Sequence, residues 1–391
     1  MEKNIVHNFL SQYKYLVPGL LLLFLILIDW FQGQWEYYIS AERLIYLILA
    51  KGGVLVALAL TSIKKNRNLY IVIICLGISS FIGYGQRLIE LENLELFIKY
   101  LSPFIYYYGF NVLLQTKESY TFLIKISGIC IGVALLSILM GMVFNIESLV
   151  TYSNRFGYKG FFKRSIDASY FIMYAFLFTY FVIKSFRKQL LLYVLLLFVS
   201  LIIGTKVPFF FIFLFFGFLI YESPQRNKTL SFLFFSFLSS VFLVYTFFLQ
   251  NIKETYLKFQ TIYEEHGIWA SLTSYRSILL SESIDFYKET WKPINYLFGG
   301  KNPSWMLIEM SIFDLFVFYG AIGTLLYLFF YFKTYFKNIN YSFQVCYIFV
   351  VLASILAGQF FFNPSNTIWF ATLALILQHK KVTSHENIFN L

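Results

Sequence analysis

The sequence predicts an all-α polytopic membrane protein with about twelve transmembrane helices and one large extracytoplasmic loop. The first observation is composition: of 391 residues, 59% are hydrophobic and only 13% are charged. Soluble globular chains carry roughly 45–50% apolar and about 25% charged residues, so they could not bury this much apolar surface. The second observation is that apolar runs of about 20 residues, the length that crosses a bilayer, recur along the chain. Residues 1–391 are therefore predicted to form a single membrane domain.

Twelve apolar runs are the predicted spans, and each is long enough for a helix that crosses or nearly crosses the bilayer. The 49 Phe and 31 Tyr residues are interpreted mostly as lipid-facing bulk and as an interfacial aromatic belt. The predicted spans are 15–31, 42–62, 69–85, 97–114, 120–144, 166–183, 189–204, 207–221, 229–249, 309–332, 342–361 and 365–378.

Basic residues occur in every second connection between the spans, which places those connections and both termini in the cytoplasm. Much of the net charge of +11 is thereby explained as a topology signal, and this argues against nucleic-acid binding. The first apolar run lacks a small-residue cleavage site, so it is predicted to stay as a membrane anchor. The basic residues concerned are Lys3, Lys14, Lys64, Lys65, Arg67, Lys117, Lys184, Arg187, Lys188, Arg226, Lys228, Lys333, Lys337, Lys380 and Lys381.

The three cysteines do not suggest redox or metal chemistry. Cys75, Cys130 and Cys346 all fall inside apolar runs, so we expect buried thiols and neither a disulfide nor a metal site. No cofactor is predicted for this chain.

Two connections on the predicted outer face carry cations, against the bias that sets the topology. The turn 204–208 holds Lys206 close to the bilayer surface, and the segment 145–165 holds four cations. Guanidinium groups bind phosphate oxygens in pairs and lysine acts as a point charge, so these residues could form an anion site. They could equally contact lipid headgroups or water. The four cations of the segment are Arg155, Lys159, Lys163 and Arg164.

The third unusual outer connection is long, running from residue 250 to residue 308. Connections above about 12–15 residues usually have a function. Within it, residues 271–291 have helix-compatible periodicity with Arg276 near the start, and Phe298-Gly299-Gly300 predicts a turn back toward the membrane.

Two carboxylates, Glu309 and Asp314, stand at the beginning of the span 309–332. If both are helical, they are separated by about 140° of rotation and about 7.5 Å of rise, so they do not share a face. Glu309 at the outer mouth could act as a general base or could simply complement the helix dipole. Asp314 should face the bundle interior, where it could pair with a lysine or arginine of another span.

One further charge, Lys51, lies within the second span. It either pairs with an acid such as Asp29 or lines a polar cavity, and the sequence does not distinguish the two.

Over roughly residues 150–330 the chain resembles the superfamily of bacterial O-antigen polymerases and O-antigen ligases. Asn154-Arg155-Phe156-Gly157 is similar to the family's Arg- and Gly-containing external loop, and Gly204-Thr205-Lys206 is similar to its Thr-Gly-Ser-Arg turn, with Lys206 in place of arginine. Tyr275-Arg276 and Leu297-Phe298-Gly299-Gly300 resemble the large external loop. Ser311, Asp314, Tyr319-Gly320 and Ile322-Gly323 match the ligase-like segment that follows this loop.

In that last register, Glu309 stands where the ligases have histidine and Met310 where they have asparagine, which favours a polymerase over a ligase. The resemblance implies a membrane glycosyltransferase of the bacterial cytoplasmic membrane that makes capsule, exopolysaccharide or O-antigen without metal or nucleotide. Its substrate would be an undecaprenyl-pyrophosphate-linked oligosaccharide, and a flippase and a chain-length regulator could be partners. Arg155, Lys206 and Arg276 would neutralise the departing pyrophosphate. Glu309 would handle the acceptor hydroxyl, supported by Asp314, Lys159 and Arg164.

Two alternatives remain open at this stage. A ligase would transfer a finished glycan to a lipid or protein acceptor. A flippase for the same lipid-linked oligosaccharide is also compatible with many spans, although transporters commonly show two matching halves and this sequence shows no internal repeat.

Overall fold

The computed structural model describes residues 14–35, 41–151, 156–222, 259–300, 308–356 and 358–389, with a few single residues between 237 and 257. Within these residues the chain is helical and forms no β-strand. The helices are α1 (Val17–Trp35), α2 (Ala41–Lys65), α3 (Arg67–Tyr84), α4 (Leu91–Leu113), α5 (Lys117–Phe144), α6 (Ser165–Val182), α7 (Phe186–Ile203), α8 (Val207–Glu222), α9 (259–273), α10 (Arg276–Thr290), α11 (Pro293–Phe298), α12 (Ser311–Phe336), α13 (Tyr341–Leu356) and α14 (Pro364–Phe389).

Seven of the described helices are long and apolar enough to cross a membrane, namely α1, α2, α3, α5, α6, α7 and α12. The shorter α8 and α13 are also apolar. The chain is therefore a polytopic, membrane-embedded helical protein. The predicted span 229–249 lies almost wholly outside the described residues, so the number twelve stays a prediction. The short turn at 204–206 does separate two helices, as the sequence predicted.

The helices alternate in direction, and their ends form two distinct faces. One face, which we call the loop end, contains residues 85–90, 145–151, 156–164, 204–206 and 358–363. Contacts between the connections and the helix ends hold this face together: the Tyr158 N–H, for example, donates to Ile202 O at the end of α7 at 3.0 Å. At the opposite end Lys14 Nζ donates to Gln115 Oε1 at 3.3 Å, and Lys380 Nζ donates to Phe181 O at 3.2 Å.

The centre of the bundle contains α4 and α14, which pack directly against each other. Tyrosines fill much of this core, which corrects the expectation that aromatic residues mainly face lipid. Tyr327, Tyr331 and Tyr335 follow one another at helical spacing on α12, and all three are fully buried. Their hydroxyls are satisfied internally, since Tyr335 Oη donates to Pro103 O at 3.0 Å and Tyr331 bonds Tyr347 at 2.5 Å. Buried hydroxyls need such partners where water is absent.

The cysteine prediction holds in part. Cys130 and Cys346 are buried, but Cys75 is partly exposed, and all three are free thiols. Cys75 lies on α3, a helix with several side chains exposed on the outside of the bundle, such as Ile74 and Ile78. An apolar run therefore does not by itself guarantee burial in a membrane helix.

The predicted turn after Leu297 is present, and it packs against a non-helical residue, Gly320, in the middle of α12. Gly320 has φ +65° and non-helical backbone in the middle of that helix, and Gly299 has φ +74°. A Cβ added to Gly320 would lie 2.3 Å from Phe298 N, and one added to Gly299 would lie 2.1 Å from Phe318 O. The turn and the helix thus touch backbone to backbone, which fixes the large loop on the membrane helices.

Gly320→Ala is expected to lower the melting temperature of the purified protein. A Cβ at positive φ costs about 1–2 kcal/mol, and here it also collides with backbone that cannot move aside. Gly217→Ala on α8 is the matched control, because a Cβ there meets no atom within 4 Å. Thermal unfolding followed by size-exclusion chromatography measures both. Equal melting temperatures for the two variants would contradict the packing described here.

Candidate active site

An ion pair between Arg276 and Glu309 is the central feature of the candidate site at the loop end. Arg276 Nη2 donates to Glu309 Oε2 at 2.7 Å, and Arg276 Nη1 donates to Thr273 O at 3.2 Å. The Arg276 side chain is 19% exposed and that of Glu309 is 44% exposed. The pair therefore joins the first residue of α10 to the chain in front of α12, where a ligand can reach both groups.

Glu309 is not part of a helix, which corrects the sequence-based geometry. α12 begins at Ser311, and Glu309 precedes it with φ +56°. The rotation of 140° between Glu309 and Asp314 therefore does not apply, and neither does the first-turn acid interpretation. The Glu309 conformation is held by Gly358, whose N–H donates to Glu309 O at 2.7 Å.

Backbone strain is concentrated around this pair. Five non-glycine residues of the described chain have positive φ, and three belong to the site: Glu309 itself, with Ser274 and Tyr275 directly before Arg276. Each such conformation costs on the order of 1–3 kcal/mol and persists only where the surrounding structure enforces it. The two charged groups are thus presented by segments that the fold holds in strained conformations.

Asp314 supports the segment that carries Glu309. It is buried, as the sequence predicted, but no lysine or arginine among the described residues pairs with it. Instead Asp314 Oδ1 accepts a hydrogen bond from Ile308 N at 3.2 Å. The expected pair with a basic residue of another span is therefore replaced by a backbone contact next to Glu309. The last basic loop residue before this segment, Lys301, lies outside the described residues.

Lys206 contacts the same large loop as Arg276. Its Nζ donates to Ser271 O and lies 3.6 Å from the ring centroid of Phe259. Ser271 precedes by two residues Thr273, whose carbonyl holds Arg276. Two carbonyl groups at the end of α9 therefore accept hydrogen bonds from cations, one from Lys206 and one from Arg276. The structure thus brings Lys206 and Arg276 to the same region of the loop end, which we call the reaction corner.

The described part of the connection after α5 packs on this turn. A Cβ added to Gly204 would lie 2.4 Å from Phe156 O, and one added to Gly157 would lie 2.7 Å from Ile203 O. Both glycines are required by close backbone approach. Arg155, a predicted pyrophosphate ligand, lies outside the described residues. Its neighbours Phe156 and Gly157 contact Gly204, which precedes Lys206 by two residues.

Lys159 and Arg164, the two predicted supporting residues, have other partners. Lys159 Nζ donates to Lys163 O at 3.1 Å. Arg164 Nη1 donates to Gln359 Oε1 at 2.7 Å, and its Nε lies 3.8 Å from Asp167 Oδ2. Arg164 also lines a separate cavity, of about 530 Å³, next to the candidate site.

The segment 358–365 was missed by sequence reasoning, which placed Gln359 inside a span. α13 ends at Leu356, and the following residues connect the two regions: Gly358 bonds Glu309, Gln359 bonds Arg164 and Asn363 Nδ2 donates to Asp167 Oδ1 at 2.6 Å. The available signal was the polar run Asn363-Pro364-Ser365-Asn366 between two apolar stretches.

Lys51 satisfies both alternatives that the sequence left open. Its Nζ donates to Asp29 Oδ1 at 2.5 Å and to Ser365 Oγ at 3.1 Å. It also lines the cavity that Arg164 borders. An ion pair of this kind makes a charge tolerable within a membrane helix.

The helix that begins with Arg276 is docked by aromatic residues. Tyr287 of α10 and Trp291, the residue directly after that helix, are buried against Val317 and Phe316 of α12. Burial raises the pKa of Tyr287 to about 12, and the nearby Asp314 carboxylate adds to this effect. Tyr287 is therefore neutral at physiological pH, and α10 is fixed in place by an apolar contact.

The fold and this site define a class: a helical, polytopic membrane protein that presents an accessible arginine–carboxylate pair and a lysine at one end of its bundle. In the described residues, no group of three or more His, Cys, Asp or Glu side chains could hold a metal ion. No protein-family model, no curated protein and no solved structure matches the chain.

Proposed function

We propose that the protein is a bacterial polysaccharide polymerase of the O-antigen polymerase and ligase superfamily. It would extend capsule, exopolysaccharide or O-antigen from undecaprenyl-pyrophosphate-linked repeats on the outer face of the cytoplasmic membrane. The observation that carries the proposal is the Arg276–Glu309 pair at 2.7 Å, presented on strained backbone at the end of a membrane bundle.

The reaction requires two kinds of group, and the corner supplies both. A sugar hydroxyl of the next lipid-linked repeat attacks the anomeric carbon of the growing glycan. The bond from that carbon to the pyrophosphate oxygen breaks, and undecaprenyl pyrophosphate leaves with one additional negative charge. Arg276 and Lys206 stabilise this charge, because fixed cations act most strongly where charge develops. Glu309 accepts the hydroxyl proton.

Glu309 has an oxygen suited to this role. Oε2 accepts from Arg276, whereas Oε1 has no hydrogen-bond partner within the described part of the chain. Pyrophosphate that binds Arg276 would compete with Glu309 for the guanidinium group. Substrate binding would therefore release the carboxylate toward the acceptor hydroxyl.

The distribution of charge supports the proposed orientation. The described basic residues of the connections at residues 64–67, 117, 184–188 and 333–337 all lie at the end opposite the candidate site. Cytoplasmic connections carry such an excess of lysine and arginine. The candidate site would then face outward, with the termini in the cytoplasm.

The test is a reconstitution of the purified protein in lipid vesicles with undecaprenyl-pyrophosphate-linked repeats isolated from its native host. We expect a ladder of glycans that differ by one repeat, with release of undecaprenyl pyrophosphate. A single transfer to another lipid or to a protein would favour a ligase. Movement of the lipid-linked repeat across the bilayer without a new glycosidic bond would favour a flippase.

A further inference from the structure

A second cavity, of about 530 Å³, lies beside the candidate active site and has no role in the reaction described above. Its walls come from α1, α2 and α4, from residues 162–167 and from residues 359–369. None of Lys206, Arg276 and Glu309 lines it. The volume is within the range of pockets that hold small organic ligands, roughly 300–1,000 Å³.

The charges that line this cavity are largely compensated. Four cations line the cavity. Lys51 pairs with Asp29 at 2.5 Å, Lys99 pairs with Glu95 at 2.6 Å, Arg164 bonds Gln359 and approaches Asp167, and Lys163 lies beside Arg164 in the chain. The Lys51 and Asp29 side chains are only 15% and 17% exposed. An anion could bind Lys51 or Lys99 only by displacing a carboxylate, and it would meet the three carboxylates of the wall unfavourably. The cavity therefore favours a neutral ligand.

The ligand must also satisfy both donors and acceptors. Asp29, Asp167 and Gln359 offer carboxylate and amide oxygens, whereas Lys51 and Asn363 offer N–H groups. Planar carboxylate and amide groups can each bond two neighbouring hydroxyls. These groups already bond their neighbours in the protein, but a hydrocarbon chain would leave their remaining oxygens and N–H groups without further partners, which is costly in a partly buried site.

Aromatic surface completes the wall. Trp30, Trp369 and Phe162 all border the cavity, and the ring of Phe162 lies 6.2 Å from that of Trp30. The C–H faces of sugar rings pack on aromatic rings, while their hydroxyls need donors and acceptors at the edges. A neutral saccharide is the ligand class that matches all three properties of the cavity.

We infer that this cavity is a binding site for a short neutral oligosaccharide. The segment 358–365 connects it to the reaction corner, because Gly358 bonds Glu309 while Gln359, Asn363 and Ser365 line the cavity. Only the assignment of this saccharide to the acceptor glycan rests on the proposed function. In that assignment the cavity holds sugar residues of the incoming repeat while one hydroxyl reaches Glu309.

Two glycines allow the cavity to be filled without a steric clash. Gly52 and Gly53 of α2 line it, and a Cβ added to either meets no atom within 4 Å. Gly52→Phe and Gly53→Phe therefore occupy the cavity with an apolar ring. Gly217→Phe is the matched control, because Gly217 has equally open surroundings on α8 and does not line this cavity.

The experiment measures binding of maltotriose, N,N′,N″-triacetylchitotriose and galactotriose to the full chain in nanodiscs by saturation-transfer NMR. We expect saturable binding of at least one trisaccharide, weakened at least tenfold by Gly52→Phe and Gly53→Phe and unchanged by Gly217→Phe. Inorganic pyrophosphate should not displace the trisaccharide. It should also bind the two cavity variants as tightly as it binds the unmodified protein.

Three results would overturn the inference: no saturable binding of any of the three trisaccharides, equal binding by the cavity variants, or pyrophosphate binding that is lost when the cavity is filled. The last result would make the cavity an anion site. Failure of the proposed function is distinguishable, because glycan extension that survives Arg276→Ala would reject the polymerase mechanism while saccharide binding to the cavity persists.

Discussion

Arg276→Ala is expected to abolish glycan extension while the protein still inserts in the membrane. Removal of a group that stabilises developing charge lowers turnover by roughly 10²–10³-fold. The lost ion pair is partly exposed, so it contributes only on the order of 1 kcal/mol to folding. Glycan length on gels, together with the amount of protein in isolated membranes, measures both effects.

The control for this variant is an ion pair in the same helix. Lys288 and Asp285 of α10 lie 3.0 Å apart with side chains 66% and 67% exposed. Lys288→Ala removes a cation from the loop without touching the candidate site and should leave extension unchanged. If Arg276→Ala made polymer of normal length, or if Lys288→Ala were equally inactive, the role given to Arg276 would be wrong.

Glu309→Gln is expected to stop extension and, at the same time, to strengthen pyrophosphate binding. A general base contributes typically 10²–10⁴-fold to the rate, and glutamine cannot accept the proton. The glutamine no longer competes as an ion for Arg276, so the affinity for pyrophosphate should rise about fivefold, the equivalent of an exposed ion pair of about 1 kcal/mol. Titration of the purified variant with pyrophosphate measures this change.

Lost extension together with stronger pyrophosphate binding distinguishes a catalytic role of Glu309 from a structural one. A variant that had merely misfolded would lose activity and pyrophosphate binding together. Asp285→Asn is the matched control, since it removes a carboxylate of the same loop with 67% side-chain exposure. Unchanged or weaker pyrophosphate binding by Glu309→Gln would show that Glu309 does not compete for Arg276.

Several features of the fold followed from sequence, for reasons that are local. Runs of apolar residues predicted most of the helices within a few positions, because the bilayer requires helical, apolar segments of about 20 residues. The Phe298-Gly299-Gly300 turn was also predicted, since glycine pairs are local signals. The helical segment predicted over residues 271–291 is present only from Arg276 onward, because Ser274 and Tyr275 have positive φ and separate α9 from α10. Gln359 shows the limit, because the polar run that begins at Asn363 indicates a connection but does not indicate that α13 has already ended at Leu356.

The candidate site shows what local patterns could not predict. Glu309 was recognised as unusual, yet its ion pair with Arg276 joins the start of a predicted span to a residue 33 positions earlier, within the long connection. Its conformation depends on Gly358, which is far away in the chain. The tyrosines of α12 were interpreted as lipid-facing because composition does not tell which face of a membrane helix packs inward.

The sequence by itself determined that this is a helical membrane protein in which alternate connections are basic. It also singled out further cations in the connections 145–165, 204–208 and 250–308, and the carboxylate of Glu309 at the start of a predicted span. Hydrophobicity and charge are properties of single residues, and the bilayer selects on them directly. Only the tertiary structure decided that Glu309 faces Arg276, that Lys206 contacts the same loop, and that Lys51, Asp167 and Asn363 enclose a second cavity. Those relations arise from packing between distant helices, and no local pattern in the chain encodes them.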